Sequence, residues 1–379
     1  MPGSGKGIRR VTMKLVIYIG HHKVGSTALQ TFLSQNWVRL AQNGILYPSV
    51  ETRGFSNNLA RLLQGKDVPA NYGVNVREPH SALAYRMMSE VSQRKVPPQF
   101  KRIPAVVQMT LAIRNQVEAI KPDAVILCSE AFSNFGQVDP ELITRLTDIL
   151  PDAEVEIYCA LRRPDEYLVS WHGQRLKVGE KLPSLRDGGV EEYLDTIHFN
   201  FRTVVEPWVA KLPKARLILR AYDQISAAGG STEDFCTQVG ATFPDNMIPV
   251  GRANKSLPHA AMEVVRRGNA GLPGPRATEL SRFFLQGGAK LDPIANDQID
   301  MFGAPLRADL AERFEPIHRY LSDLTGTPNF FGNYDEIRQA RSVSETEAAA
   351  DLLTKLDVQS VPNPQLGAFL GKLQGELGG

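Results

Sequence analysis

The chain has 379 residues, of which 42% are hydrophobic and 22% charged, and its formal net charge is +2. That length can bury a substantial core, and the composition excludes a disordered or fibrous chain. So small a net charge offers no global attraction to nucleic acid or an acidic membrane, and any bound anion must be gripped locally.

The three cysteines, Cys128, Cys159 and Cys236, stand far apart with no C-x-x-C pair, which argues against a disulfide framework and a structural zinc site. No apolar run approaches the roughly 18 to 20 residues of a membrane span. The run Leu15 to Ile19 is too short for a signal-peptide core. A cytoplasmic protein with no membrane span and no nucleic-acid partner is expected.

Residues 1–12 are small, polar and basic, and read as a loose tail. Lys14 to Gly20 is a short, β-branched apolar run that predicts a buried strand. From Ser26 to Leu40, the residues Leu29, Phe32, Leu33, Trp37 and Leu40 recur at helical spacing. A second short strand is expected at Ile45 to Tyr47. Residues 51–121 then turn polar, with five prolines at 69, 79, 97, 98 and 104, and read as a helical insertion with helices near 81–93 and 105–120. Continuous apolar strands resume at Ala124 to Cys128, Val155 to Leu161 and Ala215 to Leu219, each preceded by a helical pattern, which predicts a parallel sheet covered on both faces. Beyond Pro258 the pattern gives helices near 259–268, 276–286, 305–324 and 344–356, and no further strand.

The segment Gly20-His21-His22-Lys23-Val24-Gly25-Ser26-Thr27 joins the first strand to the first helix. Its glycines permit a tight turn and close approach to an anion, and the helix start offers N–H groups and the positive dipole end. Ser26 and Thr27 add hydroxyl donors and Lys23 a mobile cation. The spacing imitates G-x-x-x-x-G-K-[ST], yet the Lys that should follow the second Gly is missing and one stands two residues before it.

The run IGHHKVGSTALQ resembles the 5′-phosphosulfate loop of sulfotransferases that use 3′-phosphoadenosine 5′-phosphosulfate (PAPS). A second segment fits the same family. After the strand ending at Leu161 come Arg162-Arg163-Pro164 and a helix carrying Ser170, and the separation of Arg162 and Ser170 is similar to that of the family's 3′-phosphate site. Arg163 takes the variable position between. The loop Gly251 to Pro258 resembles a late loop that closes over the nucleotide, with Arg252 a further candidate for the 3′-phosphate. Asn43 to Pro48 and Ser170 to Gly179 are similar to recurring family text.

The resemblance implies an α/β fold: a P-loop-like three-layer sandwich with a central parallel sheet, a helical insertion and a helical C-terminal region. One such domain over 13–335, interrupted at about 51–121, and an extension over 336–379 are expected. It implies transfer of the sulfuryl group of PAPS to the hydroxyl of a small-molecule or carbohydrate acceptor, leaving 3′-phosphoadenosine 5′-phosphate (PAP), with no metal. The residues implied to contact the nucleotide are His22, Lys23, Gly25, Ser26, Thr27, Arg162, Ser170 and Arg252, and Lys23 also has a catalytic role. An acceptor hydroxyl must lose a proton, so a general base is required. Glu130, at the end of the strand Ala124 to Cys128, is the first candidate by position; Glu51, His22 and His172 are the others, and Ser56-Asn57-Asn58 stand where bacterial relatives often carry a His. A Gly-rich turn without a ligand, a P-loop kinase and a non-catalytic nucleotide-binding protein remain alternatives. An ordinary ion pair remains open for Arg162.

Overall fold

The computed structural model describes residues 12–69, 72–100, 102–251 and 256–378. The chain divides into two compact units, Met1–Leu161 with Thr203–Ala253, and Arg162–Arg202 with Asn254–Gly379. The first holds a five-stranded sheet built from β1 (Lys14–Tyr18), β2 (Ile45–Leu46), β3 (Ala124–Cys128), β4 (Glu154–Leu161) and β5 (Arg216–Ala221). All neighbours are parallel and the order is β2-β3-β1-β4-β5, with Lys14 beside Ala124 on one side and Glu154 on the other.

The central strands read as unbroken apolar runs because both of their faces are covered. Leu15, Val16 and Ile17 of β1 and Val125, Ile126 and Leu127 of β3 are all fully buried. Each such side chain stabilises the fold by about 1.5 to 3 kcal/mol relative to exposure. Helices α1 (Ser26–Gln35), α2 (Thr52–Leu63), α3 (Pro79–Val91) and α4 (Val106–Ile120) lie between β1 and β3 in sequence. Pro79 opens α3 at its first turn, where a missing N–H costs nothing. The sequence pattern gave no sign of α2, whose buried residues are Gly54 and Asn58, both weak helix formers. Asn58 is held there by a hydrogen bond to Ser49 Oγ.

Two buried acids sit on the β4 side of this unit. Glu156 receives Lys14 at 3.3 Å, Arg216 at 3.4 Å and the Gly240 N–H at 2.7 Å. Asp234, on α5 (Ser231–Gln238), accepts from the Tyr158 hydroxyl and from Arg220 at 2.6 Å. Tyr158 stacks on Tyr18 with ring centroids 5.5 Å apart, and Phe235 meets both edge-on.

The second unit begins with α6 (Pro164–Lys177) and continues through α7 (His259–Gly271), α8 (Gly274–Gly287), α9 (Ala304–Thr325), α10 (Glu345–Thr354) and α11 (Pro364–Leu377). Residues 336–378 belong to this unit together with 256–335. The expectation of no strand after Pro258 is corrected by a parallel pair, Ile299–Asp300 with Val343–Ser344. Two residues per strand are too few for a periodic signal. Their anchor is Asp300, whose carboxylate accepts from the N–H groups of Phe302, Gly303 and Arg341 and from Arg307 Nε. No helix among the described residues is long and apolar enough to cross a membrane.

Candidate anion loop and proton acceptor

In the first unit the loop after β1 rises along the C-terminal end of β4: the N–H groups of Ile19 and His21 donate to the carbonyls of Tyr158 and Ala160, both at 2.9 Å. Two residues there take left-handed backbone conformations, Lys23 at φ 62° and Gly25 at φ 92°. Such a conformation is ordinary for glycine and strained for lysine. Gly25 is required for a second reason, because a Cβ there would lie 2.6 Å from Ser231 Oγ. Ser231 Oγ itself donates to the Gly25 carbonyl at 3.1 Å.

Gly25 precedes α1, whose first turn carries no acidic residue and no side-chain cap. The positive end of the helix and its first N–H groups therefore have no anionic side chain of their own. Ser26 is 5% exposed, and His22, Lys23, Gly25 and Thr27 are partly exposed. Burial and the neighbouring Lys23 charge lower the His22 pKa to about 4, so its imidazole is neutral at pH 7.

Glu130 follows β3 directly, at the start of a short 3-10 turn capped by Ser129. Burial raises its pKa above the ordinary glutamate value, with the nearby Ser26 hydroxyl acting against that rise. Glu130 Oε2 is buried without a hydrogen-bond partner. The loop and the expected base thus belong to one unit.

A network absent from the sequence reading holds this arrangement. Gln30 Nε2 donates to Ser81 Oγ at 2.9 Å and to the Cys128 carbonyl at 3.1 Å, and Ser81 Oγ lies 2.9 Å from Ser129 Oγ. Ser129 Oγ accepts the Ala131 N–H at 3.0 Å. Gln30, Ser81 and Ser129 are all buried. One signal was visible in the sequence: Gln30 is a polar residue inside the buried face marked by Leu29, Phe32 and Leu33. Glu78, just before α3, is paired with Arg77 at 2.7 Å, and its own pKa is raised by burial, with the Glu130 charge adding to the effect.

Glu51 precedes α2 in an extended conformation, partly exposed, and makes no capping bond. In the second unit, Arg162 Nε donates to Glu166 at 2.9 Å. Arg163 is the more deeply held of the pair, with its side chain 2% exposed and bonded to Asp165 and Glu336, both at 2.7 Å. Ser170 lies partly exposed on α6. His172 on the same helix is buried with Nδ1 3.1 Å from the Tyr193 hydroxyl; burial and then the charges of Arg175 and Arg266 lower its pKa to about 4. It serves as a packed, neutral residue of that unit. Arg252 lies outside the described residues.

Comparison with protein-family models, curated proteins and solved structures finds no match for this chain.

Proposed function

We propose that the protein is a PAPS-dependent sulfotransferase acting on the hydroxyl of a small-molecule or carbohydrate acceptor, on a P-loop-like three-layer α/β scaffold. The observation that carries this reading is the presence, within one unit, of an uncapped loop-to-helix turn bearing Lys23 and of a buried carboxyl, Glu130, near the Ser26 side chain. An anion grip beside a proton acceptor is what transfer of a charged group to a hydroxyl needs. The topology supports the placement. The connection leaving β1 runs towards β2, whereas that leaving β4 runs towards β5, and ligands of open parallel sheets collect at such a reversal beyond the C-terminal strand ends.

In the proposed reaction the acceptor oxygen attacks sulfur in line as the bond from sulfur to the bridging oxygen breaks. The electron pair stays on the departing 5′-phosphate, where the Lys23 ammonium, the N–H groups opening α1 and the Thr27 hydroxyl stabilise it. The acceptor proton goes to Glu130, whose burial increases its proton affinity. Arg162 and Ser170 enter from the sequence resemblance as the residues for the 3′-phosphate, and Arg252 as a third. His22, neutral at pH 7, offers a hydrogen bond and no charge.

Incubation with sulfur-labelled PAPS and panels of carbohydrate, phenol, lipid and peptide acceptors tests the proposal. Label on at least one hydroxyl acceptor, lost in Lys23→Ala, supports it. Transfer of phosphate from ATP with no transfer from PAPS would refute it.

A further inference from the structure

Among the described residues, the large apolar side chains left exposed are gathered in one stretch of the chain. They are Leu59, Leu63, Val91, Val107, Leu111 and Val178, and all but Val178 lie within residues 51–121. A single exposed leucine is ordinary on any surface, but a group of them marks a contact. Leu63 is 80% exposed and Val107 78%. Each has a partner one turn away on its own helix, Leu59 with Leu63 on α2 and Val107 with Leu111 on α4.

Helix α2 is turned the wrong way for a helix that only covers a core. Its apolar residues Phe55, Leu59, Leu62 and Leu63 recur at helical spacing as one stripe, yet the residues it buries are Gly54 and Asn58. Asn58 is bonded to Ser49 Oγ, and Phe55 meets Trp37 edge-on with ring centroids 6.3 Å apart, so the rotation of the helix about its axis is set. Gln116 of α4 exchanges two hydrogen bonds with the backbone of the same Ser49, at 2.9 and 2.7 Å. Both helices are thus anchored at one residue by their polar side chains, and their leucines and valines are left outside.

Positive charge is concentrated in the same stretch. Residues 51–121 hold eleven Lys and Arg against five Asp and Glu, a net +6 in a chain of net +2, so the rest of the chain stands at −4. Three of the five acids are occupied, Asp67 with Arg39, Glu78 with Arg77 and Glu90 with Arg145. From Thr52 to Lys66 there is no acid at all. Arg53 and Lys66, at the two ends of α2, are exposed, as are Arg94 and Lys95 after Val91.

Aliphatic side chains at helical spacing beside unopposed positive charge fit an anionic lipid surface, which takes leucines between its headgroups and cations among its phosphates. A protein interface would centre on aromatic anchors, and none of the exposed large apolar residues is aromatic. A nucleic acid would match the charge and not the aliphatic side chains. We propose that the insertion at 51–121 is a docking face for an anionic lipid surface, with α2 lying in the headgroup layer on Leu59 and Leu63 while Arg53 and Lys66 reach lipid phosphates. The proposal stands apart from the sulfotransferase reading, since neither Lys23 nor Glu130 takes part.

The test is flotation of the full chain with vesicles of phosphatidylcholine alone and of phosphatidylcholine with about one third phosphatidylserine, at low and at high salt. Binding to the acidic vesicles should be roughly tenfold tighter or more, and weakened by salt. Leu59→Ser with Leu63→Ser should lower it roughly tenfold or more, because two apolar side chains no longer enter the lipid. Arg53→Glu with Lys66→Glu should erase the preference for the acidic lipid. All four side chains are exposed, so unchanged urea midpoints serve as the control for folding. In Leu63→Trp the added tryptophan emission should move to the blue with acidic vesicles and stay in place with phosphatidylcholine alone. Equal binding to both vesicle types, binding to neither, or binding unchanged by the leucine pair overturns the proposal. Self-association that is lost in the leucine pair, without vesicle binding, overturns it in favour of a contact between copies of this chain.

Discussion

Gly25→Ala probes the loop that the whole account depends on. The new Cβ would lie 2.6 Å from Ser231 Oγ and 2.8 Å from Ser231 Cβ, on a backbone at φ 92°. The left-handed conformation costs an L-residue about 1 to 2 kcal/mol, and forced overpacking adds about 1 to 3 kcal/mol. The expected destabilisation is therefore about 2 to 5 kcal/mol. Ser231→Gly removes both clashing atoms, at the expense of the bond from Ser231 Oγ to the Gly25 carbonyl. In a double-mutant cycle the pair should be less destabilised than the sum of the singles by the steric share, about 1 to 3 kcal/mol, with the backbone share remaining. Urea unfolding followed by tryptophan fluorescence reads this unit through Trp37 and Trp208, both buried in it. Strict additivity would show that Gly25 and Ser231 are not in contact and that the loop is built differently.

Other outcomes follow from the same geometry. Glu130→Gln should slow transfer roughly a hundredfold or more while leaving PAP affinity nearly unchanged. Because burial raises the Glu130 pKa and the base acts deprotonated, wild-type turnover should fall as pH drops through a midpoint above the usual glutamate range; that limb should vanish in Glu130→Gln. Asp234→Ala would leave Arg220 and the Tyr158 hydroxyl without their buried partner and should cost about 3 to 5 kcal/mol in urea unfolding. Glu345 is 6% exposed with Oε1 unpartnered, and burial raises its pKa to about 8. Raised from an ordinary 4.5, it favours folding fully below that value and loses this contribution as pH climbs from 4.5 to 8. Glu345→Gln should therefore flatten the stability profile across that window and be more stable than wild type at pH 8, as measured by denaturation at a series of pH values.

Sequence patterning reached the sheet because its strands are buried on both faces: β3 falls on the expected residues, Ala124–Cys128, and β1, β4 and β5 within two residues at each end. The anion loop was legible for a local reason, since glycine, lysine and hydroxyl residues at a strand-to-helix turn have few other uses. The nearness of Ser26 to Glu130 was not, because more than a hundred residues separate them and nothing in either segment names the other. Gln30, Ser81 and Ser129 escaped likewise, their partners lying 51 and 48 positions apart. Adjacent Arg162 and Arg163 look alike in sequence, and only packing distinguishes them: Arg163 is buried among Asp165, Glu166 and Glu336, whereas Arg162 is a quarter exposed. The last helix, α11, carries Gly367, Gly371 and Gly375, which mask its apolar rhythm, although Asn363 before Pro364 is a strong start signal.

Isothermal calorimetry of the full chain with PAP, ADP and AMP at one salt concentration tests the central claim most directly. Charge-assisted contacts to a 3′-phosphate contribute about 1.5 to 3 kcal/mol each, so PAP should bind at least tenfold more tightly than ADP or AMP, and Arg162→Ala should erase most of the difference. Equal affinities for the three nucleotides would contradict the assignment to PAPS-dependent sulfuryl transfer.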